Sequence, residues 1–545
     1  MRAARLAYRL WALAALADAR RFERALHAPE AAQAAVLREV VRACRGTAYA
    51  RHAGLDGVRT LADLGALPQA TPEALAPWIA RIAGGEPHVL TRAPVRLLEP
   101  TGGSTGGRRL VPFTAPLQRQ FRRAVSAWIV DLLRRDARLG HGPAYWSVSP
   151  ATGPPERAPG GLPVGFADDG AYLSPIAARL ARAVLAVPGA LRLVAEPEAF
   201  RYATLRLLVG RGDLALVSVW NPTFFELLLA SLEAHAEALA RDIREGTLLA
   251  ALPAEAHRAV RPFLRPDPAR ARALEAALAL ADGPARYARL WPRLRLVSAW
   301  ADAHAARPAR TLAARLAHAA FQPKGLLATE GVVSVPRAGR TGAALAVTSH
   351  VIELVPPGGG EAVPLAEARV GERYAVLLTT AGGLVRYRLG DLVDVVGREG
   401  RTPLVRFAGR EGLVSDRVGE KLHEAHVRQA LEAACAGLEA PFLMLACDDA
   451  AAPPAYVLFA ETMADDEALR EAAAALDRAL GANVHYAYAR RLGQLGPLGA
   501  FRVTGDGHAA YVRACAAQGQ RLGDVKPSAL HRAGDWTSRL PGQRL

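Results

Sequence analysis

Lysine is nearly absent from this chain. Of the 68 lysine and arginine residues among its 545, only Lys324, Lys421 and Lys526 are lysines. Where arginine occupies almost every basic position, a retained lysine marks a place for a compact point charge rather than a planar guanidinium fork. Cysteine is scarce as well. Cys44, Cys435, Cys447 and Cys515 are scattered without a C-x-x-C pair, which gives no zinc or redox framework and favours a reducing, cytoplasmic setting. No apolar run approaches the ~20 residues of a membrane-spanning helix. The stretch "MRAARLAYRLWALAALADARRFERAL" has early arginines and an apolar run from Leu10 to Ala17. Asp18, Arg20 and Arg21 follow, and the helical period continues through Phe22 and Leu26, so an amphipathic helix is expected here rather than a signal peptide. The net charge is +16, yet no basic tail or aromatic-interleaved basic run accompanies it. That speaks against nucleic acid and for an anionic small molecule as partner.

What is present is globular: 51% hydrophobic and 22% charged residues, in a chain long enough for two or more domains. Residues 1–90 read as helices. From about residue 200 strands alternate with helices, with "DLALVSVW" and "RLRLVSAW" as strands and "NPTFFELLLASLEAHAEALARDI" as one helix capped by Asn221. Residues 343–396 read as strands and turns. A small α/β unit follows "FAGREG", with helices "EAHVRQALEAACA" and "DDEALREAAAALDRAL" and strands "PFLMLAC", "AYVLFAE" and "VHYAYARRLG". The expected class is therefore α/β: a large N-terminal domain of mixed or parallel sheets flanked by helices, with a β-rich subdomain, and a small C-terminal α/β domain. The boundary is placed at residues 1–408 and 409–545, with a hinge near Ala408–Gly412.

The densest chemical signal is "EPTGGSTGGRRLVPF", residues 99–113. Its G-x-S-x-G string would make Ser104 a nucleophile only on a strand–turn–helix elbow. The following "RRLVPF" reads instead as a strand, which disfavours a serine hydrolase. Successive glycines let backbone N–H groups approach phosphate oxygens, Ser104 and Thr105 add hydroxyls, and Arg108 and Arg109 add charge. "HEAH" (423–426) lacks the H-E-x-x-H spacing of a zinc site.

"TGGSTGGRRLVP" resembles the T-S-G-[ST]-T-G-x-P-K signature of the adenylate-forming superfamily of acyl-CoA synthetases, luciferases and adenylation domains. "LLATEG" (326–331) resembles its Y-G-x-T-E element, "RYRLGD" (386–391) its ribose-binding T-G-D element, and "GREGLVSDRVGEKLHE" (409–424) the hinge segment after it. Within that superfamily the chain resembles the auxin-responsive promoter (Gretchen Hagen type) family of acyl acid amido synthetases, in its bacterial branch. The marks include "GGLPVGF", "WPRLRLVSAW", "KGLLATEGVVSVP", "TTAGGLVRYRLGDLVDVVG" and "GQRLGDVKPSAL".

The resemblance implies ATP- and Mg²⁺-dependent activation of a carboxylic acid to an acyl-adenylate, then acyl transfer to an amine such as an amino acid, with the C-terminal domain a mobile lid. It implies a phosphate-binding loop of Thr101, Gly102, Gly103, Ser104, Thr105, Gly106 and Arg109. Glu330 would be the Mg²⁺ ligand, Thr329 would orient the α-phosphate, and Asp391 would accept from the ribose hydroxyls. Arg388 and Arg410 would lie near ribose and phosphate, and Lys526 would stabilise charge developing during adenylation. Lys421 is structural or touches nucleotide in a second conformation, and Lys324 reads as positional. Arg109 stands where the superfamily usually has lysine, Gly102 where it has serine, and Leu326 where an aromatic often packs on adenine. Trp146, Phe166 and Trp300 are candidates for the acyl pocket. An acyl-CoA ligase or a donor to a carrier protein shares these signatures. A non-catalytic nucleotide-binding protein is the remaining alternative, disfavoured by intact Glu330, Asp391 and Lys526.

Overall fold

The computed structural model describes residues 2–101, 109–147, 156–165, 175–357, 359–411, 414–415, 417–518, 520, 525 and 527–545. The chain divides into two compact units, Met1–Asp302 with Ala309–Phe407, and Ala303–Pro308 with Ala408–Leu545.

In the larger unit the first helix, Arg2–His27, buries Ala7, Tyr8, Trp11, Ala15, Ala19, Phe22 and Leu26. Steps of three and four put these side chains on one face, and the helix packs along helix Ala115–Arg135. Four short strands, Ala144–Trp146, Leu216–Ser218, Leu296–Ala299 and Ala320–Pro323, form a parallel sheet in that order. Such strands are buried on both faces and read as continuous apolar runs. A six-stranded sheet follows the order Val351–Val355, Arg373–Thr379, Tyr387–Glu399, Thr402–Arg410, Ala343–Leu345, Ser334–Pro336. A third sheet is built on the antiparallel pair Val95–Thr101 and Arg109–Thr114.

In the smaller unit, strands Phe442–Asp448 and Ala455–Glu461 lie at the centre of a five-stranded sheet. Their residues alternate between two cores. Leu445, Cys447, Tyr456 and Leu458 pack on helices Glu424–Ala434 and Asp466–Leu480, whereas Met444, Ala446, Val457 and Phe459 join Tyr511 and Trp536. The molecule is thus mixed α/β throughout.

Two expected elements differ. "VHYAYARRLG" is not a strand but the helix Val484–Arg491, capped by Asn483, whose side chain accepts from His485 and Tyr486 N–H. The alternating tyrosines imitate a strand, yet only Tyr486 is buried while Tyr488 is exposed. Tyr486 and Arg490, one helical turn apart, both reach Asp477, at 2.6 and 2.8 Å, a pairing that needs i,i+4 geometry. The single helix expected after Asn221 is two, Pro222–Ala234 and Ala236–Glu245. The break falls at His235, whose ring meets the edge of Tyr202 at 5.2 Å.

Asp302 sits where the chain leaves the larger unit, and its carboxylate accepts from the N–H of Phe407, the last residue before the chain leaves again, at 3.2 Å. Burial pushes the Asp302 carboxyl up to about 6, with Phe407 N–H and Arg406 opposing. A carboxyl raised above its unfolded value of ~3.9 contributes most to stability in acid and loses that contribution as pH rises through 6. Asp302→Asn, which keeps the acceptor for Phe407, should flatten the fall in melting temperature between pH 4 and 6. The difference is no more than ~3 kcal/mol. Parallel profiles for variant and parent would refute this.

Candidate active site

The Gly-rich loop joins two antiparallel strands in register, Thr101 opposite Arg109, Pro100 opposite Leu110 and Glu99 opposite Val111. A strand–loop–strand connection is not the elbow that a nucleophilic serine needs. Gly102, Gly103, Ser104, Thr105 and Gly106 lie outside the described residues, as do Phe166 and Lys526. Thr101 ends the first strand and Arg109 begins the second. The Arg109 guanidinium donates to Glu73, at 2.8 Å, in the first turn of helix Pro72–Ala83. Glu73 is largely exposed, and exposed pairs of this kind are worth ~0–1 kcal/mol, so Arg109 is not locked by it.

Thr329 and Glu330 form the tip of a hairpin. Ala328 and Gly331 exchange backbone hydrogen bonds of 3.0 and 3.2 Å, Leu327 pairs with Val332, and Val333 N–H donates to Leu326 at 2.9 Å. Gly331 leaves the room that the tip requires. A Cβ there would lie 3.0 Å from His350 Nε2 and 3.1 Å from Leu378 Cδ1. His350 cannot yield easily. Its Nδ1 lies 3.1 Å from Gln120 Oε1, an oxygen that also accepts from Ala381 N–H at 2.9 Å. Nδ1 therefore carries the proton. Burial, with Arg123 nearby, lowers the ring to about 3, which keeps it neutral.

The "RYRLGD" segment reaches this tip: the Tyr387 hydroxyl donates to Glu330 Oε1 at 3.4 Å. Glu330 and Asp391 are both buried. Between Arg388 and Leu392 the strand holds two more residues than its neighbour, where Leu377 faces Arg388 and Ala375 faces Leu392. Gly390, at φ 79°, supplies the left-handed residue of this bulge. Arg388 donates to Gln69 at 2.7 Å, and its N–H pairs with Ala70 O at 2.8 Å. Residues 69–73 thus tie together Arg388, which follows Tyr387, and Arg109. Glu330 meets Tyr387, and residues 69–73 join the neighbouring Arg388 to Arg109; Thr329 precedes Glu330 at the hairpin tip. Arg410, half-buried, is the last residue of strand Thr402–Arg410 and itself belongs to the smaller unit, which resumes at Ala408.

One wall was not legible as such. Arg386, at φ 44° and buried, donates to Glu353 at 2.9 and 3.0 Å and to Gly65 O at 2.6 Å. It holds segment 65–70 against the strand that carries Arg388 and Asp391.

Beside the hairpin lies an apolar cavity of about 140 Å³, at the carboxyl ends of the parallel strands. Trp128, Trp146, Trp220, Leu327, Val332 and Lys324 are among its walls. In open parallel sheets ligands bind at this edge. Trp146 is thus a wall residue. Trp300 is not, but its N–H donates to Trp220 O at 2.8 Å and the two rings lie 6.0 Å apart. Lys324, read from sequence as positional, donates to Ser218 Oγ at 2.7 Å. The rarity of lysine was the only signal that could have singled it out.

Three profiles match the chain: the GH3 family N-terminal domain over residues 18–308, the central domain over 345–410 and the C-terminal domain over 425–534. The probable indole-3-acetic acid-amido synthetase GH3.12 of Oryza sativa subsp. japonica is 27% identical, over 88% of this chain and 87% of its own length. The jasmonoyl-L-amino acid synthetase JAR6 of Nicotiana attenuata is 26% identical, over 86% and 85%. The solved structure of AtGH3.15 acyl acid amido synthetase in complex with 2,4-DB shares the fold, with a TM-score of 0.84 at 20% identity, covering 96% of this chain and 95% of that one. With the N-terminal profile alone spanning more than half of the chain and the other two following in order, this protein belongs to the GH3 family.

Proposed function

We propose that this chain, as a member of the family's bacterial branch, activates a carboxylic acid with ATP and then transfers the acyl group to the amine of an amino acid. In the first step the acid's carboxylate oxygen bonds to the α-phosphorus and pyrophosphate leaves. In the second, the amine attacks the acyl carbon, AMP leaves, and the amine gives up a proton. The observation that carries this reading is the 326–334 hairpin. Its flank, through Leu327 and Val332, faces an apolar cavity, while its tip presents Glu330 to the segment bearing Asp391. An apolar acid in the cavity would then have its carboxyl beside the carboxylate and hydroxyl groups that handle nucleotide.

In this reading Thr101, Gly102, Gly103, Ser104, Thr105, Gly106 and Arg109 hold the β- and γ-phosphates through backbone N–H groups, hydroxyls and charge. Thr329 orients the α-phosphate, Asp391 accepts from ribose hydroxyls, and Arg388 and Arg410 supply charge near them. Glu330, a buried carboxylate beside a hydroxyl, suits a hard cation, and one carboxylate plus substrate phosphates is a usual Mg²⁺ set. When bound, Mg²⁺ neutralises phosphate charge as pyrophosphate departs.

The test is pyrophosphate release across a panel of carboxylates, with amino acids, CoA or hydroxylamine as acceptors. No release with any acid would exclude adenylation. Products with CoA and none with amino acids would exclude amide formation alone. Lys526→Ala should abolish acid-dependent pyrophosphate release yet still convert supplied acyl-adenylate to amide. Equal loss of both steps, or of neither, counts against an adenylation-only role for Lys526.

A further inference from the structure

Lys324 is the one ionisable side chain among the described residues that line the cavity; its other walls are tryptophan, phenylalanine, aliphatic, glycine and serine residues. Its Nζ lies 4.9 Å from the centre of the Trp220 ring and 5.4 Å from that of Trp128. The Trp128 ring is itself held by Nε1 donating to Gln322 at 2.9 Å. No carboxylate among the described residues acts on Lys324, and burial lowers its ammonium to about 7. The residue is half-buried and lines the cavity. Water entering there softens the depression, and an apolar ligand that expels water deepens it. Two ring faces and one hydroxyl therefore hold an ammonium group with hydrogen-bonding capacity left towards the cavity, since it has three donors.

We propose that Lys324 is a specificity residue for the acid substrate: the cavity takes a single-ring, otherwise apolar acid, and Lys324 donates to an oxygen at the end of that ring opposite the reacting carboxyl. The inference rests on the adenylating reading of the same site. Size sets the ring, because an apolar cavity of ~150 Å³ is enough for benzene. Chemistry sets the far end. Lys324 precedes the hairpin and Thr329 stands at its tip, five residues on. An amine that is partly neutral near pH 7, placed against an acyl-adenylate, would attack the acyl carbon itself and end turnover as a lysine amide. An amine kept at the other end of the ring is safe from that reaction. A guanidinium would need more acceptors than this wall offers, which accounts for a lysine at this position in an arginine-rich chain.

The experiment is a tryptophan-fluorescence titration of the full chain, without ATP, with phenylacetate against para-hydroxyphenylacetate and cinnamate against para-coumarate. The oxygen-bearing acid of each pair should bind at least about tenfold more tightly, as expected for a hydrogen bond to a charged donor. In Lys324→Met the ratio should fall to within about threefold of one. In the parent protein the ratio should also decline as pH rises from 6 to 8, below the ionisation of the probes' own phenol, because the ammonium is the only group lining the cavity that titrates there; the facing groups are the Ser218 hydroxyl and the Trp128 and Trp220 rings. A parent ratio near one, an unchanged ratio in Lys324→Met, or a flat ratio across that pH range overturns the proposal. If Lys324→Met is poorly folded by its melting curve, the pH series on the parent protein decides. Binding with the predicted ratio but no pyrophosphate release with any acid would remove the adenylation reading and leave the oxygen-selecting cavity standing.

Discussion

Glu330→Gln should reduce acid-dependent pyrophosphate release by roughly 10²–10³-fold, the scale on which a single charge-stabilising group acts in such sites, with the melting temperature close to that of the parent. The substitution keeps the shape of the side chain and an oxygen for the Tyr387 hydroxyl, 3.4 Å away, and removes only the negative charge. The hairpin that carries the residue is held by its own backbone bonds and by the fit of Gly331 against His350 and Leu378, none of which involves the carboxylate. The loss should therefore fall on turnover with bound nucleotide and metal, and raising Mg²⁺ should restore part of it. A variant that retains a tenth or more of parental activity would remove Glu330 from the metal-binding role.

Arg386→Met should destabilise the larger unit by about 3–5 kcal/mol, the cost of leaving one partner of a buried ion pair uncompensated. Glu353 would remain buried without its guanidinium, and Gly65 O would lose the donor that now reaches it at 2.6 Å. The backbone bonds between Ala70 and residues 386 and 388 would loosen with it, so activity should fall at temperatures where the protein is still folded. The double change Arg386→Met, Glu353→Gln should recover part of the stability, since no bare charge is then left inside. Urea unfolding followed by far-ultraviolet circular dichroism reads both. A single variant within about 1 kcal/mol of the parent would show that the pair is not what holds this segment.

These two residues differ in how far the sequence announced them. Glu330 stands in "LLATEG", a short motif whose order relative to "TGGSTGG" and "RYRLGD" is readable in one dimension. Arg386 opens the same "RYRLGD" as Arg388, yet nothing local shows that this first arginine turns inward to a glutamate 33 residues earlier. The same holds for secondary structure. Strands with a continuous apolar pattern, such as 442–448 and 455–461, were legible because both faces are covered. The helix Val484–Arg491 was not, since its two tyrosines alternate as in a strand and only Asp477, on a neighbouring helix, decides which one faces inward.

The sequence by itself determined the family, the α/β class and the strand that follows the Gly-rich segment, because motifs of fixed spacing encode local backbone conformation. Only the tertiary structure decided that Tyr387 meets Glu330, that residues 69–73 link Arg109 to Arg388, and that Lys324 borders an apolar cavity. Those facts depend on contacts between segments up to hundreds of residues apart. A lysine's burial is set by what packs around it, which no stretch of its own neighbours specifies.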